Sequence, residues 1–252
     1  LEAFEGDTDR LIVEEIAGQY SRLTLLLPRH ERLAGRAGRF FAAHLQRIGE
    51  KKGEEAENIS ILRGMLSRER SIVDREFASR LSERFPRFHE TDPDIRGAVA
   101  LSEALVHNDF SALRGLLTGS KSDEDRSKLI AAMGWLEGDE NLSRAIDLIR
   151  TEEIKKQDTY LFYGAVSANP GGRGFMTRNL AFAVKQLTSD FADTGMPSRV
   201  LEGVIPLLGI GREKEILDLL DTLRSPEIET GVRKGTEILR IYSKFAARNA
   251  AA

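Results

Sequence analysis

Residues 109–149 read DFSALRGLLTGSKSDEDRSKLIAAMGWLEGDENLSRAIDLI, and the spacing of their apolar side chains decides the fold. Phe110, Leu113 and Leu117 recur at intervals of three and four, as do Leu142, Ile146 and Ile149. At about 3.6 residues per turn, such intervals line one side of a helix. Ser122 followed by Asp125 has the pattern of a capping box, and Gly138-Asp139 marks a turn. At the upstream edge, Asn108-Asp109 breaks one helix and starts another. The stretch therefore predicts short helices joined by tight turns.

The same period extends in both directions. Leu201, Val204, Ile205 and Leu208 follow it, then Ile216, Leu219, Leu220 and Leu223, then Ile238, Ile241, Tyr242 and Phe245. Upstream, Ile12, Ile16, Tyr20, Leu23 and Leu27 form one stripe. No six-residue stretch alternates apolar and polar residues, so strands are not expected. Asp92-Pro93 and Ser225-Pro226 each place an N-cap residue before a proline at the first helical position. Asn169-Pro170-Gly171-Gly172 and the glycines at 209 and 211 read as further turns.

Helices are expected in pairs, at about 92–107 with 109–118, 122–134 with 138–149, 154–168 with 173–192, and 197–208 with 212–224. A final helix is expected from about 226. Each pair spans roughly 30 to 40 residues, the size of a HEAT-like helical hairpin. The first ninety residues predict longer, more charged helices with a break near Gly49–Gly53. A two-helix repeat cannot bury its apolar stripe alone, so neighbours must stack. The fold expected is all-α, with HEAT-like hairpins stacked into a curved α-solenoid and a concave face for binding, as one domain over residues 1–252.

Composition narrows the function. Lys and Arg total 37 against 40 Asp and Glu, without the basic excess of a nucleic-acid binder. The 252 residues contain no cysteine, which removes disulfides, thiolate metal sites and a cysteine nucleophile, and fits a cytoplasmic setting. No apolar run approaches the roughly 20 residues that span a bilayer. The chain starts at Leu1 rather than Met, so it reads as part of something larger, and Ala250–Ala252 carry no weight.

Catalytic motifs are missing. A zinc-peptidase helix needs His-Glu-x-x-His, two histidines one turn apart on one face. His30-Glu31 and His89-Glu90 each lack the second histidine, and His44 and His107 stand apart from both. Gly115–Ser122 lacks the glycine that a phosphate loop places before its lysine, and Gly171–Gly174 lacks a preceding strand. No Ser sits in a Gly-x-Ser-x-Gly elbow. No catalytic residue and no metal ligand is assigned to this chain.

One local feature stands out. Between Lys155 and Gln186 the basic residues are Lys155, Lys156, Arg173, Arg178 and Lys185, and Asp158 is the only acid. Arg173 also opens a predicted helix, where unpaired N–H groups favour anions. These five residues are candidate contacts for a carboxylate such as a peptide C-terminus. The bland alternative is a solvated face that balances acid elsewhere, notably Asp123–Asp125. Most of the aromatic cluster Tyr160, Phe162 and Tyr163 reads as core, and Trp135 as packed between repeats.

The stretch Ile154-Lys-Lys-Gln-Asp-Thr-Tyr160, with Val166-Ser-Ala-Asn-Pro-Gly-Gly-Arg173, resembles the C-terminal domain of the thermolysin-like (gluzincin) zinc aminopeptidases. Gln157 and Asp158 match the family's basic-x-Gln-Asp helix start, and Asn169 and Gly172 its Asn-x-x-Gly-basic turn. Arg96 closes an Asp94-Ile95-Arg96 that looks like the family's Asp-Leu-Arg opening, and Thr236-Glu237-Ile238 resembles its closing helix. After Gly172 the chain departs from the pattern, offering Phe175 or Phe182 where the family often has Trp. In style it is most similar to the archaeal tricorn-interacting members.

The resemblance implies a non-catalytic domain that caps the active site and limits peptide access to a cavity. The zinc and its His-Glu-x-x-His would belong to a catalytic domain of the same polypeptide, outside this chain. It implies peptide substrates and a larger protease complex as partners, and neither nucleic acid nor membrane. The rival reading is a free-standing HEAT or armadillo scaffold, which shares the fold and differs only in partner.

Overall fold

The computed structural model describes residues 4–51 and 53–249. The expectations placed on Leu1 and on Ala250–Ala252 lie outside the described residues. Among them the chain forms thirteen α-helices and no strand, which makes the fold all-α. None of these helices is long and apolar enough to cross a membrane. The chain divides into two compact units, residues 1–132 and 133–252, with the boundary at the C-terminal end of one helix.

In the first unit α1 (Arg10–Leu26), α2 (Glu31–Ile48) and α3 (Glu57–Val73) surround one apolar cluster. Val13, Ile16, Ala17 and Tyr20 meet Ala37, Phe40 and Phe41 of α2 and Leu62 and Leu66 of α3. The Tyr20 and Phe40 rings lie 5.4 Å apart, a favourable tilted pair. The buried face of α1 is therefore rotated from the expected stripe. Val13 and Ala17 lie inside, while Ile12 and Leu23 are only partly buried.

The punctuation is side-chain chemistry. Asp9 accepts from Leu11 N and starts α1. Asp74 accepts from Phe77 N and opens α4 (Arg75–Ser82), a break that the periodicity does not signal. Asp92 caps a 3-10 turn at Pro93–Ile95, and α5 (Arg96–His107) starts only after it, four residues later than expected. Asn108 then takes a left-handed φ of 53° and Asp109 accepts from Ser111 N and Ala112 N, opening α6 (Phe110–Gly119). Ser122 Oγ accepts from Asp125 N at the head of α7 (Asp123–Met133). Asp125 turns its carboxylate to Arg96, which donates from Nη1 at 2.9 and 3.2 Å. Arg96 also donates to the carbonyls of Thr91 and His89. This residue of the family pattern is a structural clamp.

The second unit holds α8 (Asp139–Arg150), α9 (Thr159–Ala168), α10 (Arg173–Asp190), α11 (Met196–Leu208), α12 (Glu213–Thr222) and α13 (Glu229–Asn249). The bounds of α8 and of α10 to α12 fall within two residues of expectation. The other two start late. Ile154 to Asp158 form a loop and a 3-10 turn ahead of α9, and residues 226–228 are a turn ahead of α13. Ile146, Ile149, Phe162, Tyr163, Val166, Met176 and Leu180 are buried, so the aromatic pair at 162–163 is core. In this unit α9 packs on α10 and on α11, α10 on α11, and α11 most extensively on α13, so the final helix takes the place expected for 212–224 as the partner of 197–208. Where α13 crosses α11, a Cβ at Gly231 would fall inside the contact radius of the Ser198 carbonyl, so only glycine fits. Ser198 Oγ receives Gly231 N at 3.1 Å and donates to Glu227 O at 3.0 Å, closing that seam.

Candidate functional site

The turn from α9 to α10 carries most of the residues singled out from the sequence. Asn169 is buried, and its Nδ2 donates to the carbonyls of Gly134 at 3.2 Å and Leu136 at 3.1 Å. Its Oδ1 accepts from Gly171 N, closing the turn from within. A Cβ at Gly172 would lie 2.7 Å from Val166 O and from Val166 Cγ2, so the position has room for hydrogen only. Asn169 and Gly172 therefore fix where α10 begins. Gln157 is exposed, and Asp158 ends the 3-10 turn without a side-chain cap on α9.

Arg173 is the first residue of α10 and only 7% exposed. Its Nε donates to Ser167 O at 3.2 Å. Burial, and behind it the charge of Arg212, bring its ionisation down to about 10. Arg178 is exposed and pairs with Asp139, the first residue of α8. At the other end of α10, Lys156 Nζ lies 3.7 Å from Asp190 and 3.9 Å from Glu152. Arg173 and Asp190 bound an 18-residue helix, which spans about 25 Å. Lys155 and Lys185 are exposed, Lys155 beside Lys156 in the chain and Lys185 five residues before Asp190. The five basic residues thus do not form one patch. Arg173 and Arg178 belong to the head of α10, and Lys156 to its tail.

Reading the sequence missed Arg212. It stands at the N-cap of α12 and faces the head of α10 from a separate helix. A count of charges along one stretch of chain cannot find it. The only usable signal was a basic residue straight after the turn at Gly211.

The aromatic and histidine candidates resolve into structural roles. Tyr163 donates to Gln186 Oε1 at 2.8 Å, and burial pushes its hydroxyl well above the usual tyrosine range. Trp135 is 3% exposed. His30 Nδ1 accepts from Leu33 N at the head of α2. His44 is buried against the Glu5 carbonyl, and burial lowers its ionisation. His89 faces Asp125, and His107 lies near Ser82 and Glu103. Among the described residues no three His, Asp or Glu side chains are placed to hold a metal ion.

Comparison with known proteins supplies a context for this geometry. The family model described as the ERAP1-like C-terminal domain matches residues 1–240. The tricorn protease-interacting factor F2 of Thermoplasma volcanium is 37% identical over 245 residues, covering 96% of this chain and 30% of the relative. Its counterpart in Thermoplasma acidophilum is 34% identical, over 97% of this chain and 31% of the relative. A leucyl aminopeptidase of Saccharolobus solfataricus is 28% identical, over 96% and 30%. The chain thus spans about 30% of the length of these curated relatives.

Proposed function

The chain belongs to the ERAP1-like C-terminal domain family, and from that premise we propose that it caps the active site of a zinc aminopeptidase. In this reading the chain carries no catalytic group. It walls a cavity in which peptides reach zinc held elsewhere in the same polypeptide. The observation that supports it most is the coverage. Nearly all of this chain aligns with aminopeptidases and tricorn-interacting factors, yet it accounts for about 30% of each. A catalytic apparatus has room in the remainder, and the side chains described above are spent on turns, clamps and core.

Two relatives are named for interaction with the tricorn protease, and we extend that association to the protein that carries this chain. The first test is enzymatic. The full-length protein is expected to hydrolyse an aminoacyl-coumarin substrate, to lose that activity to a zinc chelator and to recover it with zinc. Its rate on peptides should depend on their length, as an enclosing wall requires. An absence of chelator-sensitive aminopeptidase activity would remove the reading. Equal rates for short and long peptides would remove the capping role alone.

A further inference from the structure

Two guanidinium groups from different helices converge on the bare backbone at Gly174. A Cβ at that position would lie 3.6 Å from Arg178 Nη1 and 3.7 Å from Arg212 Nη1, and apart from its two chain neighbours no other side chain comes within 4 Å of it. Arg178 has Asp139 as an ion-pair partner, whereas no described carboxylate pairs with Arg212. Arg173, next to Gly174 in the chain, is almost fully buried, and burial and the nearby Arg212 both disfavour its charged form.

Like charges gathered at a partly dry surface repel, and an anion among them reverses the sign of the interaction. Guanidinium forks match the geometry of carboxylates and phosphoryl groups, whose paired oxygens accept parallel N–H donors. No side chain caps the first turn of α10, so its free N–H groups add to the same field. Glycine at 174 leaves the room that a ligand oxygen needs.

We propose that Arg178 and Arg212, backed by the buried Arg173, form an oxyanion-binding site over Gly174. The ligand presents two or more acceptor oxygens, as a phosphoryl group or a peptide carboxylate does. Arg178 and Arg212 touch the ligand, and the buried Arg173 contributes to the potential there. The site rests on these side chains alone and does not require the parent protein to be a peptidase.

The test uses the full-length protein and inorganic phosphate, with chloride at equal ionic strength as reference. Phosphate is expected to raise the melting temperature in a saturable way that chloride does not match. Arg212→Ala should weaken the apparent affinity about tenfold, the loss expected for a charge-assisted contact. Gly174→Asp places a carboxylate between the two guanidinium groups. It should raise the melting temperature without ligand and abolish the phosphate response. Arg199→Ala, exposed on α11, should leave the response intact.

A peptide that competes with phosphate as the free acid, but not as the C-terminal amide, identifies a carboxylate ligand. Phosphate binding without such competition identifies a phosphoryl ligand. The proposal is overturned if neither phosphate nor the free-acid peptide binds better than chloride. It is also overturned if the response survives both Arg212→Ala and Gly174→Asp in variants whose circular dichroism shows a native fold.

Discussion

Replacing Asn169 with alanine tests whether one side chain fixes the start of α10. The amide donates to two main-chain carbonyls, those of Gly134 and Leu136, inside the second unit. Alanine leaves both without that donor and also removes the acceptor for Gly171 N. A buried polar group left unsatisfied costs about 1–3 kcal/mol, and the part-buried Gly171 contact adds less. The expected loss is about 3 kcal/mol. In a chain of this size that corresponds to a fall in melting temperature of about 6–12 °C. Trp135, the only tryptophan, lies in sequence between the two accepting carbonyls, so its fluorescence reports the melting of this turn directly. Asn169→Asp keeps the acceptor for Gly171 but turns a carboxylate toward two carbonyls, and should destabilise at least as much. Gln157→Ala, at an exposed position of the same family pattern, should stay within about 0.5 kcal/mol. A fall below about 2 °C for Asn169→Ala, or an Asp variant as stable as the parent, would refute the reasoning.

Asp125→Ala should cost about 3 kcal/mol in chemical denaturation, because it leaves the largely buried Arg96 guanidinium without its carboxylate. Arg96→Ala combined with Asp125→Ala should cost less than the sum of the two single changes. Glu55 accepts from Arg63 Nη2 at 2.6 Å, and that hydrogen bond, with smaller help from Ser60, holds its carboxyl down at about 2. A folded-state value below the ordinary 4.5 stabilises the fold above pH 4.5, and the benefit fades as pH falls toward 2. The melting temperature of Glu55→Gln should therefore lie below that of the parent at neutral pH and converge with it near pH 2. A gap that stays constant across that range would exclude the linkage.

Much of the helical layout was legible because its signals are local. Asn108-Asp109 specifies both the end of α5 and the start of α6 within two residues, and the structure uses both. Signals that depend on partners misled. Proline after Asp92 and after Ser225 promised helix starts, yet in both places a tighter turn comes first and the α-helix begins three or four residues later. The spacing of Ile12, Ile16, Tyr20, Leu23 and Leu27 predicts one face of α1, whereas packing against Phe40 and Phe41 favours the face with Val13 and Ala17. Asp74 gave no warning because an aspartate in a charged helical stretch looks like surface until its carboxylate is seen on Phe77 N.

The candidate site was legible by half. Arg173 and Arg178 stood out because they lie in one short window, and the same window drew in lysines that belong to the far end of α10. Arg212 enters from another helix, so no spacing along the chain reveals it. Asn169 and Gly172 could be recognised as a pattern, but their work, holding the carbonyls at 134 and 136 and clearing space beside Val166, exists only in three dimensions.

Most helix contacts here are made by side chains, and a larger residue on one partner can be met by a smaller one on the other. The crossing at Gly231 offers no such exchange, because main chain faces main chain and Ser198 serves both sides of it. Drift in the sequence can remodel the exposed faces of α11 and α13 freely while this junction keeps their separation constant. In a redesign of the unit, it is the coordinate to hold fixed and the place from which distances should be measured.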